Sequence, residues 1–119
     1  MNIKKHRQTG MALVIIAGAT LAGCAAPPKP LYQWERYQPQ VYDYFKGQAP
    51  EAQISALEED LQKIKATGSQ PPPGYHAQLG LLYSQVGNFD RVAQEFAVEK
   101  DLYPESAVYM DFLLKKLIK

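Results

Sequence analysis

The chain of 119 residues carries 13 basic and 12 acidic side chains, a net charge of +1 that argues against a nucleic-acid partner. A single cysteine excludes an internal disulfide. The length suits one small domain with a modest core, held by packing alone.

Residues 1–23 have the layout of a secretory signal. Lys4, Lys5 and Arg7 precede an apolar stretch that starts at Met11 and meets no charge until after Cys24. Its 13 residues to Gly23 fall short of the roughly 20 that a spanning helix needs. The stretch closes on Leu21-Ala22-Gly23-Cys24, which resembles the lipobox of bacterial lipoproteins. The resemblance implies that the Cys24 thiol takes diacylglycerol and that the chain is cut between Gly23 and Cys24. The new amino group is then acylated, with fatty chains such as palmitate. Each buried methylene contributes about 0.8 kcal/mol, and two or more chains anchor stably. The competing reading is an ordinary secreted protein with a free thiol, a liability in an oxidising compartment. Ala25, where an aspartate would retain the protein at the inner membrane, implies delivery to the outer membrane; the periplasmic face is the expected side, though Ala25 does not set it.

Cleavage would leave 96 residues and a net charge of −2. Residues 24–30 read as a lipidated cysteine and a stiff tether containing Pro27, Pro28 and Pro30. At about 3.1 Å per residue, the tether holds the domain roughly 20 Å from the bilayer.

From residue 31 to 119 the apolar spacing is helical and predicts an all-α domain of about five short helices in antiparallel pairs. Val41, Tyr44 and Phe45 mark a first helix, ended by Gly47. Pro50 and Glu51 suit the start of a second, whose stripe is Ile54, Leu57, Leu61 and Ile64 before Gly68. Glu59 and Lys63 pair at i, i+4 on its wet side. Three consecutive prolines, Pro71 to Pro73, impose a connector. Leu79, Leu82, Tyr83 and Val86 then predict a helix stopped by Gly87, and Asn88 caps a fourth bearing Val92, Ala93 and Phe96. Pro104 breaks that helix. Val108, Phe112, Leu113 and Leu117 predict a fifth, closing on Lys115, Lys116 and Lys119.

Within residues 73–106, His76-x2-Leu79-Gly80-x2-Tyr83, Val92-x3-Phe96 and Pro104 resemble a tetratricopeptide repeat. Gly80 would let two antiparallel helices approach closely, with Tyr83 and Phe96 filling their seam. His76 and Val92 depart from the usual aromatic and small residue. One repeat cannot bury both faces. Residues 39–68 are read as a degenerate neighbour and 105–118 as a terminal cap, completing a mini-solenoid.

Little points to catalysis. Cys24 would be consumed by lipid, and His76 is the one histidine beyond the signal, so neither a metal site nor a cofactor is expected. His76 lies on an apolar stripe, where packing is the ordinary role. The consecutive Glu58, Glu59 and Asp60 splay around a helix and read as a solvated face. The aromatic cluster of Tyr32, Trp34, Tyr37, Tyr42, Tyr44 and Phe45 is the strongest functional signal. It seals the first face of the solenoid, with Trp34 in the core, binds a partner, or stacks on the sugars of peptidoglycan. Candidate partner-binding residues are Tyr32, Trp34, Tyr37, Tyr75 and Tyr109, beside a groove between helices at 75–86 and 105–118.

Leu31-Tyr32-x-Trp34-x2-Tyr37, Val41-Tyr42-x-Tyr44-Phe45-Lys46-Gly47 and the run from Pro104 to Phe112 resemble an uncharacterised family of small Gram-negative lipoproteins. The likeness spans residues 31–114. Its members tend to be encoded beside a lipoprotein similar to the curli-secretion pore and a second small lipoprotein. The resemblance implies an envelope assembly or accessory role and brings no site residues with it. Joined to the lipobox, Ala25 and the helical repeat, it leads to the expectation of an outer-membrane adaptor in envelope assembly or secretion, working by protein contact. A structural lipoprotein touching peptidoglycan is the alternative. The lipobox generates one direct test. Cys24→Ser removes the lipid acceptor, so the protein should accumulate uncleaved or leave the membrane fraction. Wild-type maturation and fractionation of that variant would refute lipidation.

Overall fold

The computed structural model describes residues 26–118. The expected signal segment, the expected cleavage position at Gly23, Cys24, Ala25 and Lys119 lie outside the described residues. Among those described, the fold is all-α: α1 (Tyr37–Phe45), α2 (Pro50–Ala66), α3 (Tyr75–Gln85), α4 (Phe89–Leu102) and α5 (Ala107–Leu117). A single 3-10 turn, Pro104–Ser106, leads into α5. Each helix packs on the one before it, and α3 against α4 is the most extensive of these interfaces. α1 also touches α3.

Local chemistry sets the boundaries. Pro50 stands in the first turn of α2 with Glu51, while Lys63 and Lys65 occupy its last turn, both matching the helix dipole. Asn88 Oδ1 accepts the Arg91 N–H at 3.3 Å and starts α4, as expected. The proline connector is not a solvated loop, for Pro71 and Pro72 are buried.

The core is one cluster centred on Leu57, Leu61, Ile64, Leu79, Leu82, Val92 and Phe96. The seam between α3 and α4 is as tight as the Gly80 spacing suggests. A Cβ built on Gly80 would stand 2.6 Å from Phe96 Cδ1, so the ring lies against bare backbone.

The predicted inner face of α5 holds at Leu113 and Leu117 and is corrected at Val108 and Phe112. Val108 is 84% exposed and Phe112 50%, whereas Met110 is buried with Leu113, Leu114 and Leu117 packed around the same cluster. Two apolar stripes overlap in this helix, and it leans on α4 from one side only. That contact selects the Met110 stripe and leaves the other in solvent. Val86 and Phe45, also placed on inner faces from spacing, are likewise exposed.

Gly80→Leu should overpack the seam and cost about 1–3 kcal/mol. Chemical denaturation of that variant checks it, and an unchanged midpoint would mean that Phe96 does not depend on this glycine.

Candidate functional site

The segment before α1 is held by an acid taken in the sequence for part of a wet face. Asp60 is fully buried. The Arg36 backbone N–H and Nε donate to its Oδ2 at 3.1 and 2.8 Å, and Nη2 donates to Oδ1 at 2.7 Å. Nη2 also reaches the Ala56 carbonyl at 3.1 Å and Glu59 Oε2 at 3.0 Å. The Arg36 guanidinium, joined by Lys63, holds the Asp60 carboxyl down at about 2 despite its burial. The bidentate fork fixes direction as well as distance. Glu59 and Lys63 do pair, at 2.9 Å. Asp60 corrects the solvated reading because the chain folds back over this turn of α2.

Above the clamp runs a ladder of rings. Trp34 tilts against Tyr37 at 6.1 Å between centroids, and Tyr37 stacks on Tyr75 at 5.1 Å. The Tyr75 hydroxyl donates to the Leu57 carbonyl at 2.9 Å. Burial raises the pKa of both tyrosines. The Tyr37 hydroxyl occupies space beside Gly74, where a Cβ would meet it at 2.8 Å. Gly74 has φ +90°, so both its conformation and its missing side chain are used. Beside the ladder, Tyr32 meets Tyr103 edge-on at 6.0 Å. The Tyr103 hydroxyl donates to the Pro71 carbonyl, and burial pushes it up to about 12.

Of the five candidate residues, Trp34, Tyr37 and Tyr75 thus form one stack, with Tyr32 on a neighbouring pair. Two sequence expectations change. Trp34 is 45% exposed and does not close the core, because it sits at the outer end of the stack. Tyr75 is wholly buried, so it supports the surface from below and cannot touch a partner. Tyr109 lies apart on α5, stacked on Phe112 at 6.4 Å.

His76 is buried but not merely packed. Its Nδ1 lies 2.7 Å from Glu95 Oε2, and Arg91 joins Glu95 at 2.9 Å and Glu58 at 2.7 Å. His76, Arg91 and Glu95 border a groove of about 400 Å³ between α2 and α4, with Ile64, Val98 and Leu102 on its apolar side. The acids Glu95 and Glu99 escaped notice in the sequence. Their signal was available: each falls three residues after an inward-facing Val92 or Phe96. Among the described residues no three His, Cys, Asp or Glu side chains converge as a metal site.

Residues 31–113 match the model of the family described as Domain of unknown function (DUF4810). The chain belongs to the DUF4810 family. No curated protein and no solved structure matches it. The DUF4810 match opens at Leu31, directly after Pro27, Pro28 and Pro30, and takes in the Arg36–Asp60 clamp, the ring ladder and the groove.

The clamp has an acid signature. The Asp60 value is depressed below its ordinary 3.8, so its contribution is complete above that pH and disappears as pH falls toward about 2. Asp60→Asn should lower stability at neutral pH and flatten the acid limb between about pH 4 and 2. Thermal melts across that range measure it, and parallel wild-type and variant curves would show that Asp60 does not govern the limb.

Proposed function

We propose that this protein is an outer-membrane lipoprotein, anchored through Cys24, that presents a small helical-repeat adaptor to the periplasm and acts by protein contact, not catalysis. The 24–30 tether sets the stand-off. The α3–α4 pair serves as a tetratricopeptide-like repeat, with α1–α2 and α5 as its neighbours. Its partners in this reading are envelope proteins: a lipoprotein similar to the curli-secretion pore and a second small lipoprotein.

One observation carries the reading: Trp34 is 45% exposed at the end of a stack that is held beneath by Arg36 and Asp60. An exposed aromatic on a rigid base loses little freedom on binding, and Trp is enriched among the residues that anchor interfaces. Trp34 replaces the 75–86 and 105–118 groove as the favoured contact because it is both exposed and pre-positioned.

Trp34→Ala should cost about 1–2 kcal/mol of stability, less than the 3–5 of a buried aromatic. A photo-reactive residue at position 34 in cells should cross-link to another envelope lipoprotein. Cross-links to peptidoglycan fragments would favour the structural alternative. An absence of any adduct, with the protein correctly anchored, would remove Trp34 as the contact.

A further inference from the structure

The outer face of α5 has a charge and apolar pattern that is complementary to itself. Glu105, Tyr109, Phe112 and Lys116 follow one another at i, i+4, i+7 and i+11, which places them along one side of the helix and its leading turn. Val108 borders that stripe and is 84% exposed, while Tyr109 is 59% and Phe112 50% exposed. The stripe is therefore acidic at one end, apolar in the middle and basic at the other. Among the described residues neither Glu105 nor Lys116 has an ion-pair partner, whereas the nearby Asp111 is engaged by Lys100 at 2.7 Å. The Lys116 ammonium rests over the Phe112 ring at 5.6 Å, so the base already borders the apolar centre.

We propose that this face pairs with the same face of a second copy, the two α5 helices running antiparallel about a twofold axis. Antiparallel pairing centred between residues 110 and 111 sets Glu105 opposite Lys116 of the second copy and Tyr109 opposite its Phe112. The axis repeats both pairs. Parallel pairing would set like charge against like, which is unfavourable, and would align the two helix dipoles. A self-complementary patch is what an isologous dimer requires, and here acid, apolar and base all lie on one short helix. The stripe is about 16 Å long, at 1.5 Å per residue. One such face falls short of the about 800 Å² per partner of a standard interface, so the dimer is a weak one. Tethering both copies to one membrane would raise their effective concentration. The pairing itself does not rest on the adaptor reading.

Cysteine cross-linking of the full chain in cells tests the register. A chain carrying both Glu105→Cys and Lys116→Cys should run at twice the monomer mass after mild oxidation. Each single variant should give about tenfold less, because like positions lie too far apart to bridge. The single variants also control for any reaction of Cys24. Adding Phe112→Asp should abolish the double-variant dimer, while circular dichroism confirms that the exposed substitutions leave the fold intact. Equal cross-linking by a single variant would mean a parallel pair, and would overturn the proposal. So would a double variant that stays monomeric or that bridges to a different protein.

Discussion

At the junction of α3 and α4 a carboxylate is buried against the start of a helix. Glu99 is 2% exposed, and it accepts the backbone N–H groups of Gly74 at 2.6 Å, His76 at 3.1 Å and Ala77 at 3.3 Å. The first N–H groups of a helix have no partner within it, and the dipole there favours negative charge. Burying an uncompensated carboxylate would be costly, so the two liabilities cancel only if α4 delivers Glu99 to this point. The α3–α4 angle, the Gly80–Phe96 seam and the course of the proline connector all have to agree with that single placement.

The surface inherits its geometry from the same node. Gly74, which donates to Glu99, also leaves the space that the Tyr37 hydroxyl fills. Tyr37 in turn carries Trp34 and lies on Tyr75. The Arg36–Asp60 clamp fixes the same segment from the α2 side. Trp34 is thus exposed without being loose. On the far side, α5 receives no such support and rests on α4 by one face, which leaves Tyr109 and Phe112 in water. The two exposed aromatic surfaces differ in kind: one is the end of a buried stack, the other a helix face that nothing described covers.

Much of the fold was legible in the chain. Helix punctuation by Pro50, Gly68, Asn88 and Pro104 is local chemistry, and the observed ends follow it. Gly80 and Phe96 were legible because a close helix crossing demands a small residue facing a large one. The α5 face was legible only in part, since Val108 and Phe112 fit helical spacing as well as the Leu113 and Leu117 that pack inward. Nothing local says which stripe meets a neighbour. Asp60 was misread for a related reason. Three consecutive acids look solvated until a cation from 24 residues away folds over one of them.

The order and limits of the helices, the bare backbone at Gly80 and the aromatic richness of residues 31–45 were therefore determined by the sequence itself, because each depends on residues within a turn or two of one another. Tertiary structure alone decided which polar groups are buried and which aromatics stay wet. Asp60 and Glu99 are buried because Arg36 and the first N–H groups of α3 arrive to compensate them. Trp34 is exposed because Tyr37 and Tyr75 occupy the space beneath it. Those outcomes turn on a partner's arrival in space, and a charge or a ring carries no local mark of whether its partner will come.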